Sequence, residues 1–309
     1  MAVSCNEVSD YGGLGRALHM TDGTVELYTT LDFGPRIIHC SLAGEKNLFW
    51  INPDHAMEVE NLDETYHRGQ VYSPVGGHRL WVSPEHPVYS YFPDTDPVTC
   101  ELIPNGAVFT PPVRPVTGDQ HRMQVTLCPD SHEISVTCSL TNTSSAPMTA
   151  APWCVSQLAP GGMEIIPQSK RDTGLLPDRF LSVWPYTDMG DARLGWGDDF
   201  ITVTPDRNIT RALKLGLRNL DAWALYLTGH TALLKRFDVK EGGVYPDGGV
   251  SYETYCNEFF LEMETLGELV TLAPGKTTSQ TERWTLSACS ALPGGRDWEA
   301  VRRAVENLL

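Results

Sequence analysis

The run Glu133-Ile134-Ser135-Val136-Thr137-Cys138-Ser139-Leu140 decides the fold class of this chain. Ile134, Val136, Cys138 and Leu140 fall on one side of an extended backbone, and Glu133, Ser135, Thr137 and Ser139 on the other. That period of two belongs to a strand with one covered and one wet face. Runs of the same kind recur at 24–29, 36–42, 123–127, 200–204, 223–228 and 259–265, each closed by Gly, Pro, Asn or Asp, the residues that turn a chain. An all-β, antiparallel protein is expected. Within 309 residues no fixed repeat and no low-complexity linker appears, so one β-sandwich domain over 1–309 is expected. Helical periodicity is confined to the C-terminus, where Trp298, Val301, Val305 and Leu308 form one stripe after Gly294-Gly295. This short helix is expected to cap a sandwich edge. The segment 176–199 is rich in Pro, Gly, Asp and aromatics (Trp184, Tyr186, Trp196) and is long enough to close over a site.

The formal charge of −16 comes from 23 Lys+Arg against 39 Asp+Glu, with no basic run, and it excludes nucleic acid and anionic membrane surfaces as partners. The N-terminus lacks an apolar leader pattern, and no apolar stretch is long enough to span a bilayer. The eight cysteines contain no C-x-x-C pair and suit a reducing compartment. A cytoplasmic protein follows as the expectation. His67, His78 and His86 lack the i, i+4 spacing of a helical metal pair, so neither a metal nor another cofactor is expected.

Three constellations carry chemistry. In Gly76-Gly77-His78-Arg79-Leu80-Trp81, paired glycines precede an imidazole, a guanidinium and an indole, and Glu85 follows. An acid/base group, a fork of donors and an apolar platform together suit a sugar ring, which has hydroxyls at its rim and a C–H face. A bulged strand with a core histidine is the structural alternative. In 257–265, Glu258, Phe260, Glu262 and Glu264 share one face of a strand whose other face holds Phe259, Leu261 and Met263. Carboxylates so placed repel, and one of them must take a raised pKa unless donors answer it. Lys235-Arg236 and the turn Tyr245-Pro246-Asp247-Gly248-Gly249 supply cations and a further carboxylate, either to the site or to a plain ion-pair network.

These segments, together with Gly34-Pro35-Arg36-Ile37-Ile38, Leu140-Thr141-Asn142-Thr143, Ala151-Pro152-Trp153, Ala159-Pro160-Gly161-Gly162, Leu261-Glu262-Met263-Glu264-Thr265-Leu266-Gly267 and Leu272-Ala273-Pro274-Gly275, resemble an uncharacterised bacterial domain family related to the aldose 1-epimerases. The resemblance covers most of the chain. It implies a large twisted antiparallel β-sandwich of the galactose mutarotase-like kind with an open, sugar-sized groove. It also implies chemistry in which a histidine protonates the ring oxygen and a glutamate in a Leu-Glu-Thr segment removes the anomeric hydroxyl proton. Met263-Glu264-Thr265 is the matching segment here, which makes Glu264 the base. Where the family's acid histidine would stand, this chain reads Ala150-Ala151-Pro152-Trp153-Cys154. His78 is then the acid from another direction, with Arg79 as positioner, or else the groove binds without epimerising or takes a different substrate. Arg36, Trp81, Glu85, Trp153, Arg236, Asp247 and Glu262 are expected to line the groove around a small molecule, a carbohydrate first of all. The rival functions are a non-catalytic carbohydrate-binding or regulatory module and an enzyme of the same fold acting on a non-sugar biosynthetic intermediate. For His78 and Arg79 both to reach the groove, they must lie in irregular backbone at its rim, above Glu264 on a regular central strand.

Overall fold

The computed structural model describes residues 2–52, 72, 74–172, 174 and 179–309; His67 and residues 176–178 of the aromatic-rich segment lie outside them. Two large antiparallel sheets face each other. The first, of eleven strands among the described residues, has at its centre Ile37–Leu42, Gly77–Ser83, Met148–Leu158, Leu261–Leu266, Tyr252–Cys256 and Leu213–Leu217, in that spatial order. The second, of ten, runs through Trp223–Leu227, Thr231–Phe237, Thr277–Ala288, Ile134–Asn142 and Asp119–Leu127. Most of the alternation in the Ile134–Asn142 strand holds: Ile134, Val136, Cys138 and Leu140 are fully buried and Ser135 and Thr137 half-buried, whereas Ser139, expected on the wet face, is buried as well. Between the sheets one apolar core runs from Leu18 to Leu286 and includes Leu27, Ile37, Phe109, Tyr252, Met263 and Trp284.

The C-terminal helix spans Trp298–Leu308, and the Asp297 carboxylate caps it by accepting from the Ala300 amide at 3.1 Å. Val301 and Val305 pack on Met163, Leu225, Leu227, Ala232 and Leu234. The helix therefore covers the outer face of the second sheet, where the outward side chains of three neighbouring strands are apolar, and its first residue, Trp298, lies against Gly195 and Gly197 at the Leu194–Trp196 edge strand of that sheet. No helix among the described residues is long and apolar enough to cross a membrane.

The polar exception in the core is continuous. The Lys235 Nζ lies 3.0 Å from both Glu282 carboxylate oxygens, which also accept from the Thr265 hydroxyl at 2.6 Å and the Trp284 indole at 2.7 Å. Lys235 and Glu282 are both fully buried.

Gly76 and Gly77 do not make a loop. Both have positive φ (95° and 74°), and a Cβ at either would stand 2.1 Å from the Trp50 carbonyl oxygen or 2.3 Å from that of Ile37. The pair lets the Gly77–Ser83 strand enter the sheet against two neighbouring backbones. Gly77→Ala combines left-handed strain with a clash against backbone, so it should lower unfolding free energy by at least ~2 kcal/mol. A urea titration with an unchanged midpoint would contradict this.

Candidate active site

Alternation along four strands of the first sheet builds one concave surface. Gly77–Ser83 is a regular strand paired with Met148–Leu158, with His78 opposite Ser156, Arg79 opposite Val155 and Trp81 opposite Trp153. Consecutive residues of a regular strand face opposite sides. Arg79 and Trp81 therefore face the groove, and His78 faces the core. The same rule sends Glu262 and Glu264 outward and Leu261 and Met263 inward, as the sequence pattern requires. The resulting groove encloses about 330 Å³, within the ~300–1,000 Å³ of small-molecule sites. Trp81, Trp153, Trp184 and Tyr255 are among its aromatic walls, and Arg79, Lys214, Gln157, Glu262 and Glu85 are its polar groups. Two larger depressions, about 470 Å³ beside Arg207 and about 500 Å³ beside Met148, lack paired indoles among their described residues.

His78 is corrected in both backbone and role. It lies in the ladder, not in irregular chain, and is fully buried. Its Nδ1 is 2.7 Å from the Ser156 hydroxyl, and its ring meets Trp284 edge-on at 4.8 Å. Burial, reinforced by Lys235, pushes its pKa down to about 3 against the pull of Glu282. A neutral imidazole sealed between sheets cannot deliver a proton to the groove. Its Nε2, with Cys138 and Cys154, forms a set of three close ligand atoms, all buried.

Glu264 occupies the regular central strand expected of it, but its oxygens are already taken. Lys214 Nζ donates to both at 3.1 and 2.9 Å, and the Trp153 indole donates to Oε2 at 2.7 Å. Lys214 also lies 2.9 Å from Glu253, and above it are the rings of Trp153 (4.6 Å) and Trp184 (5.0 Å). Burial alone would lower the lysine pKa, but Glu264 and then Glu253 hold it well above its ordinary value. Glu264 is thus the anchor beneath a cation and does not line the open groove.

Glu262, one strand pleat away, does. It is 8% exposed, and among the described residues only the Gln157 amide donates to it, at 2.8 Å. Burial and the nearby Glu264 charge raise its pKa to about 8. Its carboxyl is therefore biased toward the protonated form while facing the groove. Arg79 is 3% exposed, with its guanidinium 3.6 Å over the Trp81 ring and 5.0 Å from that of Tyr72. Trp81 meets Trp153 edge-on at 5.1 Å. Glu85, at the mouth, accepts from the Tyr91 hydroxyl at 2.5 Å.

Three other expected liners stand elsewhere. Arg36 is fully buried and donates to both oxygens of Asp94 at 3.0 Å. Arg236 lies on the outer side of the second sheet and donates to the Leu309 carbonyl, because its neighbour Lys235 takes the inward position. Asp247, at φ 52°, ties its turn to the first sheet by accepting from Ser83 at 3.3 Å. Of the 176–199 segment, Trp184 and Tyr186 reach the groove, and Trp196 belongs to the far sheet. Lys214 and Gln157 were not anticipated. The signal for Lys214 was present in Leu213-Lys214-Leu215-Gly216-Leu217, where a lone cation sits on one face of an otherwise apolar strand.

No family model and no curated protein sequence matches this chain. Solved structures do match in fold. A candidate aldose 1-epimerase from Klebsiella pneumoniae superposes with a TM-score of 0.59 over 99% of this chain and 88% of that one, at 13% identity. A candidate mutarotase from Salmonella typhimurium gives 0.56 over 93% and 94% at 11% identity, and a galactose mutarotase-like protein from Clostridium acetobutylicum gives 0.55 over 93% and 99% at 10%. The architecture is that of the galactose mutarotase-like proteins. At such identities the likeness establishes the fold, and function must be argued from the groove.

Proposed function

We propose that the groove binds a sugar or sugar-like small molecule and carries out epimerase-type acid/base chemistry, with Glu262 as the acid. The observation that carries this reading is a buried carboxyl on the floor of an aromatic-lined groove, answered among the described residues by the Gln157 amide and no cation, whose pKa burial and Glu264 push upward. Trp81 and Trp153 offer the apolar platform that a sugar C–H face needs. Glu85 is the carboxylate placed to take the second proton. Glu262 is level with Gln157 and Gly77, whereas Glu85 lies in the chain leaving the Ser83 end of the same strand. The two groups therefore reach a bound molecule from opposite ends of the groove. The base role first given to Glu264 passes to Glu85, because an ammonium and an indole already occupy the Glu264 oxygens, and the acid role first given to His78 passes to Glu262.

The test is an NMR exchange assay over hexoses, pentoses and their acids, run beside a tryptophan fluorescence titration. Acceleration above the spontaneous rate with saturable quenching is expected. Saturable binding with no acceleration for any sugar would favour the binding-module reading, and the absence of an imidazole among the described groove residues is the observation on that side.

A further inference from the structure

Among the cations near the groove, Arg79 is the one left unanswered. Lys214 is bracketed by Glu253 and Glu264, and Arg36, although its Nε and Nη1 are also buried without hydrogen-bond partners, has its charge answered by Asp94. Arg79 has no ion-pair partner among the described residues, and its Nε and Nη2 are buried with no hydrogen-bond partner. Leaving donors of a buried charged group unmade is costly, and native structures seldom tolerate it without a use. The two orphaned donors are a specific pair. Nε–H and the adjacent Nη2–H point from the same edge of the planar guanidinium as parallel donors, the arrangement that receives the two oxygens of a carboxylate. Arg79 lines the groove, with its guanidinium carbon 3.6 Å from the centre of the Trp81 ring.

We infer that the groove is built for an acidic sugar or sugar-like molecule, whose carboxylate is received by the Nε–Nη2 edge of Arg79. The inference rests on the groove being the ligand site and adds the charge of what enters it. One unpaired cation matches one negative charge. A phosphate would bring nearly two, against Glu85 at the mouth and the Glu253–Glu264 pair below. Glu262, which also lines the groove, has its pKa raised by burial and by Glu264, so it opposes an incoming anion less than an ordinary carboxylate would. The protein's overall charge of −16 weakens long-range attraction of any anion, which makes a local, bidentate anchor the recognition device.

Tryptophan fluorescence and calorimetric titrations with galacturonate and glucuronate, their neutral hexoses and the hexose 6-phosphates will decide the matter. The uronates should bind at least ~10-fold more tightly than the hexoses, a margin that shrinks as salt rises. In Arg79→Lys, which keeps a charge but loses the parallel donors, the preference should fall to within ~2-fold, with thermal melting as the check on folding. Hexoses binding as tightly as uronates would overturn the inference and leave the groove reading standing, and so would phosphates binding tighter than uronates. Binding of no sugar of any kind would remove both readings together. Uronate preference surviving in a folded Arg79→Lys would overturn the role given to Arg79. The comparison of ligands on the unaltered protein needs no variant at all.

Discussion

Glu262→Gln should slow proton exchange on whichever sugar the groove turns over by ~10²–10⁴-fold, the usual worth of a positioned acid or base. Glutamine fills the same volume and still offers an oxygen to Gln157, so the change removes an ionisable proton with little else. The pH profile carries the sign. An acid works in its protonated form, so the rate should hold below neutrality and fall as pH rises through about 8. Stability follows the same group by linkage. A carboxyl whose folded pKa is raised from 4.5 to about 8 contributes stability that is fully present below the unfolded value. That contribution is lost as pH climbs through the folded value. Urea midpoints of the unaltered protein should therefore drop between pH 5 and pH 9 by more than those of Glu262→Gln. Equal slopes would show that this carboxyl does not titrate there.

The second large effect lies in the core. Lys235→Met should destabilise the fold by about 3–5 kcal/mol, because it leaves the Glu282 charge buried without its cation. Thr265 and Trp284 would still donate to Glu282, but neither neutralises it. In the native protein burial pushes the Glu282 pKa up, and Lys235, followed by His78 and the hydrogen bonds, more than reverses this and leaves it lowered. A depressed carboxylate contributes stability above its unfolded pKa and loses it as pH falls through the folded value. With Lys235 gone the pKa should rise, so the deficit of Lys235→Met should shrink on acidification. Replacing both partners, Lys235→Met with Glu282→Gln, should recover part of the loss at neutral pH. A single variant as stable as the native protein, with a pH-independent difference, would refute the network's role.

The strands were legible because their signal is local. Ile134, Val136, Cys138 and Leu140 declare a face within eight residues, and so do the outward Glu262 and Glu264. The groove's electrostatics were not, because they depend on strand order. Lys214 meets Glu264 only because two antiparallel pairings bring 213–217 and 261–266 to either side of 252–256. Nothing in the interval between those segments announces it. His78 misled for a different reason. Paired glycines usually mark a turn, yet here they clear space for two backbones, and the strand that follows stays regular. Which member of Lys235-Arg236 faces inward was likewise invisible, since either side chain suits a half-buried strand.

The adjacency of His78 and Arg79 has a consequence for how this sheet can misassemble. A slip of one residue between Gly77–Ser83 and its neighbours would exchange the two faces along the whole strand. The guanidinium would then enter the space between the sheets now filled by a neutral imidazole against Ser156 and Trp284, where Glu282, 3.8 Å from that imidazole, is already claimed by Lys235. Leu80 and Val82 would be turned toward solvent. Mispaired registers on this strand are thus penalised twice, by a charge in the core and by apolar surface outside. The residues that shape the groove therefore also act as the strand's proofreading marks during folding.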